Sequence, residues 1–241
     1  MNGRRPFLRP FLVWAWAGPA LVVACCLGLL LWPWIGGYRA FWTIAPHYIR
    51  LVAWSFGIRR SLEGWQDLPR GIQDGSQPAI FVGNHTSLFD PPLLISTLPC
   101  HLAFLAKREL FKLPFLGWVM TMAGFIPIDR GNLSKVLGSM RDAARLVRNG
   151  RCLAVFPEGT RSRDGSLLPF KKGGFAIAAE AGVPVVPFAI QGGVDIVPKG
   201  TWRVAGGTYR IRMGAPLEPG MDAEHLRMAS FEAVAKLLAG G

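Results

Sequence analysis

From Pro10 to Tyr38 the chain carries no charged side chain. A run of that length narrows the possible folds, because backbone amides in apolar surroundings must be satisfied locally, and a helix does this within one segment. Its centre, Phe11 to Ile35, has 25 residues, and as a helix it would cover a hydrocarbon core of roughly 30 Å. Trp14, Trp16, Trp32 and Trp34 stand near its ends, where amphipathic indoles favour the headgroup level. Arg4, Arg5 and Arg9 precede it and superficially resemble the start of a signal peptide. The apolar run is too long for one, and Trp-Pro-Trp-Ile-Gly-Gly is a poor cleavage site, so the segment is expected to be retained. A second apolar stretch, Ala40 to Ile58, is interrupted by Pro46, His47 and Arg50. Its aromatics, Phe41, Trp42, Tyr48, Trp54 and Phe56, suit a helix lying in the membrane interface.

Basic residues flank both stretches, with Arg59 and Arg60 on the far side. The positive-inside rule places both flanks in the cytoplasm. A hairpin or a monotopic pair satisfies this, whereas a single crossing strands one flank outside. Pro19 and Pro33 permit a broken first helix. The expectation is a membrane-associated helical segment, residues 1–60, followed by an α/β domain, residues 61–241. That domain would lie on the cytoplasmic face of a bacterial inner membrane, with the number of crossings open. The formal charge is +12 while 51% of residues are hydrophobic. Basic charge alone suits nucleic acid, an anionic membrane or an acidic carrier protein. Joined to the apolar N-terminus it points to an anionic membrane and away from nucleic acid. Cys25, Cys26, Cys100 and Cys152 form no Cys-x-x-Cys pair, which suggests neither a disulfide framework nor a metal site.

From Ala79 the pattern alternates between short apolar runs and helical stretches. Strands are expected at Ala79–Gly83, His101–Ala106, Gly124–Ile128, Cys152–Phe156, Val183–Ile190 and Tyr209–Met213. Helices are expected at Leu88–Leu98, Pro114–Ala123, Gly173–Ala181 and Asp222–Leu238, with turns and short extended pieces over 61–78. An amphipathic helix capped by Asn132 or Ser134 carries Leu133, Val136, Leu137, Met140, Ala144 and Val147 at helical spacing. Such alternation argues for an α/β fold with a largely parallel sheet flanked by helices.

In such sheets, sites gather where strands hand over to helices at their carboxyl ends. Asn84-His85 follows the first of these strands, Lys107-Arg108-Glu109 the second, Asp129-Arg130 the third and Glu158-Gly159-Thr160-Arg161 the fourth. His85 and Asp90 are five positions apart, which on a regular helix separates two side chains by about 140°. They meet only if His85 lies on the turn before the helix and Asp90 reaches back from its first turns. A histidine oriented by a carboxylate can serve as a general base. Arginine and lysine at the same rim can hold a phosphate. Ser87 lies two residues from His85, but the chain lacks the Gly-x-Ser-x-Gly elbow of a serine hydrolase.

His85 through Asp90 resembles the first motif, histidine-x4-aspartate, of the glycerolipid acyltransferases. Lys107-Arg108-Glu109-Leu110 with Pro114, Gly117, Gly124 and Ile126-Pro127-Ile128-Asp129-Arg130 resembles the family's second block. Phe156-Pro157-Glu158-Gly159-Thr160-Arg161-Ser162 is similar to its third, and Phe170-Lys171-Lys172-Gly173 to the run that follows. Val183-Pro184-Val185-Val186-Pro187 is similar to its fourth. Thr86 stands where the family often has glutamine.

The resemblance implies transfer of a fatty acyl group from an acyl thioester to the glycerol hydroxyl of lysophosphatidic acid, giving phosphatidic acid. It implies His85 as base and Asp90 as its orienter. Lys107 and Arg161 would clamp the acceptor's phosphate, Glu158 and Thr160 would shape the same wall, and Gly159 and Arg130 are further candidates for binding. No bound cofactor is implied. The co-substrate would be acyl-CoA or acyl-acyl carrier protein, and the further partners a lysophospholipid and an anionic membrane. Two alternatives stand beside this reading. One is the same chemistry on lyso-ornithine lipid or glycerol-3-phosphate, and the other a non-catalytic, membrane-anchored basic binding protein.

Overall fold

The computed structural model describes residues 8–129, 133–198, 201 and 203–240. It opens with helix α1 (Leu8–Ile35) and helix α2 (Gly37–Phe56). The uncharged run forms a single helix of 28 residues with Pro19 and Pro33 inside it. Gly36, at φ 78°, reverses the chain between the helices, a backbone conformation that glycine adopts without steric cost. Near the reversal, Gly28 faces Ile44. Farther along, Tyr48 donates to the Ala17 carbonyl at 2.8 Å, and Trp14 meets Phe56 edge-on at 5.3 Å. These contacts pair descending positions of α1 with ascending positions of α2. The two helices are therefore a hairpin, which returns the end of α2 to the start of α1.

The outward side of α1 shows large apolar side chains to the surroundings, among them Leu30 and Trp34 at 68% and 84% exposure. Its inward side belongs to the core. Val13 and Ala17 of α1, with Ala40, Phe41, Trp42, Ala53 and Phe56 of α2, are buried in one cluster with Phe81, Phe104 and Phe188. The hairpin is thus packed onto the domain that follows.

Strand β1 (Ile58–Glu63), the short helix α3 (Arg70–Gln73), strand β2 (Ile80–Gly83) and helix α4 (Asp90–Thr97) come next. Pro91 and Pro92 occupy the first turn of α4, where a missing amide proton costs nothing. Then follow β3 (Leu102–Lys107), a 3-10 turn (Arg108–Lys112), α5 (Leu116–Met122), β4 (Ile126–Ile128), α6 (Leu133–Arg148) and β5 (Cys152–Val155). The chain closes with α7 (Gly173–Ala181), β6 (Val185–Gln191), α8 (Gly193–Ile196), β7 (Gly207–Met213) and α9 (Ala223–Ala239).

The seven strands lie in the order β1-β7-β6-β2-β5-β3-β4. Five neighbouring pairs are parallel and β6–β7 is antiparallel, so the sheet is mixed and mostly parallel. β2 and β5, at its centre, are buried along their whole length, as continuous apolar runs demand when both faces are covered. Alternate residues feed two cores. Phe81, Leu102 and Ala154 face the hairpin side, while Ile80, Val82, Ala103 and Leu153 face a second cluster with α6, α7 and α9. On α6, Ala143, Ala144 and Val147 are buried, but Leu137 is 47% exposed, so it lies off the inner stripe. Ser134 falls inside this helix rather than capping it, and Asn132 is outside the described residues. Asp222 caps α9 instead of starting it, accepting from the amides of Glu224 and His225.

The burial of the hairpin gives a stability test. Phe56→Ala should destabilise the protein by about 3–5 kcal/mol, the range for removing a buried phenyl ring, in denaturant unfolding of the full chain in detergent. Trp54→Ala, two residues away but 74% exposed, should change it by less than about 0.5 kcal/mol. Equal effects would mean that α2 is not part of the core.

Candidate active site

Because β2, β5 and β3 are adjacent and parallel, their carboxyl ends open at one edge of the sheet. There β2 hands over to the turn Asn84–Phe89. Asn84 is buried and bonds β6 in both directions, its Nδ2 donating to the Ile190 carbonyl at 2.9 Å and its Oδ1 accepting from the Ile190 amide at 2.7 Å. This anchors the start of the turn.

Asp90, the first residue of α4, is fully buried. Its Oδ2 lies 2.8 Å from His85 Nδ1 and accepts from the Thr86 and Ser87 amides, each at 2.7 Å. Its Oδ1 accepts from the Tyr209 hydroxyl at 3.1 Å. The five-residue spacing is therefore bridged in the one way open to it, with His85 on the turn and Asp90 reaching back from the helix start. A carboxylate already accepting from two amides and a hydroxyl takes the Nδ1 proton as an acceptor. That leaves Nε2 as the basic nitrogen, and among the described residues it makes no hydrogen bond. Burial, and then the Asp90 charge beside it, push the Tyr209 hydroxyl well above its ordinary value, which keeps it a donor.

The loop after β5 holds the histidine from the other side. Glu158 Oε1 accepts from the His85 amide at 3.3 Å, and the Ser162 amide donates to the His85 carbonyl at 2.8 Å. The imidazole stacks on Phe156, with centroids 4.2 Å apart and planes within 15°. Backbone and ring are both fixed, while the side chain keeps 19% exposure, enough to meet a substrate. Glu158 is itself buried, and burial raises its carboxyl to about 7, with the Asp90 charge adding to the rise and the His85 amide opposing it.

Gly193 closes the back of the turn. A Cβ there would lie 2.2 Å from Thr86 Oγ1 and 3.1 Å from Asp90 Oδ1, so only glycine lets α8 press this close. Ser87 is fully buried; its Oγ accepts from the Phe89 amide at 3.2 Å and lies 3.4 Å from the Val197 carbonyl. It braces the turn and does not face the surroundings.

The remaining residues expected from sequence lie around the same edge at different depths. Thr160 is exposed and Arg161 half-buried in the loop after β5, and Gly159 turns that loop at φ 70°. The Lys171 ammonium lies against Gly159, 2.9 Å from where a Cβ would be. Lys107, at the end of β3, is largely exposed and sits 3.6 Å from the Glu109 carboxylate; it is on the rim but not against the His85–Asp90 pair. Asp129 pairs with Lys135 at 3.3 Å, and Arg130 falls outside the described residues. Sequence reasoning missed Tyr209, Phe156 as the stacking partner, and Gly193. Tyr209 sits in an ordinary alternating strand 119 residues from Asp90, and nothing local marks it.

Comparison with known proteins bears on the whole chain. Residues 59–191 match the protein family described as Acyltransferase. A chloroplastic 1-acyl-sn-glycerol-3-phosphate acyltransferase of Brassica napus is 32% identical over 83% of this chain and 58% of its own length. The enzyme of that description from Limnanthes douglasii is 36% identical over 76% of this chain and 65% of its own length. The chain thus spans less than two thirds of these curated relatives. The crystal structure of the 1-acyl-sn-glycerophosphate (LPA) acyltransferase from Thermotoga maritima superposes with a TM-score of 0.81 at 26% identity, covering 98% of this chain and 97% of that one. A fold shared from end to end and a family match that takes in the His85–Asp90 pair lead to one assignment: the chain belongs to the glycerolipid acyltransferase family.

Proposed function

We propose that the chain transfers a fatty acyl group from an acyl thioester to the free glycerol hydroxyl of 1-acyl-sn-glycerol-3-phosphate, giving phosphatidic acid. The observation that carries this reading is the 2.8 Å contact of His85 Nδ1 with a fully buried Asp90, which leaves Nε2 as the nitrogen able to take a proton. An alcohol is too weak an acid to ionise at neutral pH, so a base must take its proton as it attacks. Nε2 accepts that proton while the hydroxyl oxygen bonds to the thioester carbonyl carbon. The tetrahedral intermediate collapses, the carbon–sulfur bond breaks, and the imidazolium returns the proton to the leaving thiolate. Asp90 holds the tautomer and stabilises the transient imidazolium, as the carboxylate of a hydrolase triad does. The acceptor itself is the nucleophile, in keeping with a Ser87 committed to the turn.

Glu158 acts by holding the His85 backbone. Lys107, Thr160, Arg161 and the Gly159 turn are assigned to the acceptor's phosphate, with Arg130 as a further candidate. The donor is acyl-CoA or acyl-acyl carrier protein. Residues 1–60 are the membrane-associated segment and residues 61–241 the acyltransferase domain. By the positive-inside rule, that domain lies on the cytoplasmic face of a bacterial inner membrane. Both lipids reside in the bilayer, so a membrane-seated enzyme spares them transfer through water. Similarity to relatives described as 1-acyl-sn-glycerol-3-phosphate acyltransferases favours this acceptor over lyso-ornithine lipid.

His85→Ala should lower kcat by at least about 10²-fold in an assay of lysophosphatidic acid with either donor; retained turnover would remove His85 from the chemistry. Arg161→Ala should chiefly raise KM for the phosphate-bearing acceptor. An equal effect on a phosphate-free lysolipid would end its assignment to the phosphate. Glu158 also sets a pH dependence. Its folded value, about 7, lies above the ordinary 4.5, so the folded state binds the extra proton between those values. Stability should therefore fall as pH rises from about 4.5 to about 7 and then level off. Glu158→Gln should flatten that slope in thermal melts, and an unchanged slope would place the titrating group elsewhere.

A further inference from the structure

Beyond the hairpin, exposed large apolar side chains are concentrated in one place. Leu110, Leu113, Phe115, Leu116 and Trp118 are all 38–51% exposed within a single stretch after β3. The other exposed large apolar residues of the described domain, Leu88, Leu137, Met221 and Met228, are scattered along the chain. Contiguous exposed apolar surface of this kind marks an interaction site.

The stretch is built to hold these side chains outward. Phe115 has φ 62° and is the one non-glycine residue at positive φ among the described residues, an unfavourable state for a bulky side chain. Its ring stands edge-on to Trp118 at 5.3 Å. Gly117 is wound so tightly that a Cβ would lie 2.1 Å from the Phe111 carbonyl oxygen. The same stretch carries Lys107, Arg108 and Lys112 against a single acid, Glu109. A cluster of cations beside exposed aromatic and aliphatic side chains is complementary to the boundary between anionic headgroups and acyl chains.

The patch also continues the outward side of the hairpin. Trp118, Val119 and Met122 of α5 line a groove together with Leu21, Gly28 and Leu29 of α1. We propose that residues 108–118 form a second membrane-contact surface, seated in the headgroup–acyl boundary of an anionic bilayer and fixing the depth of the active-site rim. Lys107, which opens this stretch, ends β3 at that rim. Lipid would then be met by the domain itself, at the edge where His85 stands, as well as by α1. The inference rests on membrane association and does not depend on the acyl-transfer reading.

The test uses single cysteines carrying an environment-sensitive NBD fluorophore on the full chain in a Cys26→Ser background, since Cys25, Cys100 and Cys152 are buried. Labels at Leu113→Cys and Leu116→Cys are compared with Leu30→Cys on the outer side of α1 and Arg145→Cys on exposed α6. The vesicles are phosphatidylcholine and phosphatidylglycerol with a nitroxide high on the acyl chain. Positions 113 and 116 should show blue-shifted emission and quenching severalfold above position 145, approaching position 30. Quenching at 113 and 116 no greater than at 145, with position 30 quenched, overturns the second contact while leaving membrane association standing. A blue shift at 113 without nitroxide quenching means that protein covers the patch, such as a second copy of the chain, and also overturns it. No quenching at position 30 overturns both.

Discussion

A carboxylate with no exposed surface must find its compensation inside the protein, and Asp90 finds four donors. They come from two distant parts of the chain: His85, Thr86 and Ser87 on one turn, and Tyr209 on β7. Removing any of them leaves part of a buried charge unpaired, which costs far more than an average hydrogen bond contributes. The turn, the start of α4 and the antiparallel pair β6–β7 are therefore tied to one another through a single side chain. The orientation of His85 is a by-product of that requirement. So is the identity of Gly193, where any side chain would displace the groups that keep the carboxylate solvated.

The second dependence is between the membrane segment and the domain. An apolar helix that only anchors would show apolar side chains on every side to lipid. Here α1 and α2 give their inner sides to the sheet's core, and the contact reaches the turn that carries His85. Trp14 packs edge-on to Phe89 at 6.2 Å, one residue before Asp90. The hairpin is thus structural at the site as well as adhesive at the membrane. The dependence runs both ways, since the sheet face that receives the hairpin is too apolar to be left in water.

Much of this was legible in the sequence because the physics that fixes it is local. The short apolar runs of β2 and β5 and the length of α1 follow from composition over a few residues. The five-residue spacing of His85 and Asp90 admits one geometry, and that geometry is found. What could not be read is non-local. Tyr209 and Phe156 reach the site through strand order and register, which pattern alone does not specify. In α1, apolar side chains surround the helix, so periodicity cannot say which side is buried. In α6 the pattern included Leu137, because helical spacing marks a stripe without marking where the neighbouring helix ends. The antiparallel β6–β7 pair was equally hidden, since a loop between strands does not announce the direction of return.

The buried Glu158 shows how such a site reconciles rigidity with charge. Two ionised carboxylates near one another in a low dielectric repel strongly, and Asp90 is already committed to four donors. A carboxyl held near pH 7 by burial can remain neutral for much of the time while still accepting the His85 amide. The loop after β5 then grips the His85 peptide from both its amide and its carbonyl side without bringing a second full charge beside the imidazole. The environment of Glu158 therefore favours a histidine whose backbone is held rigidly in place.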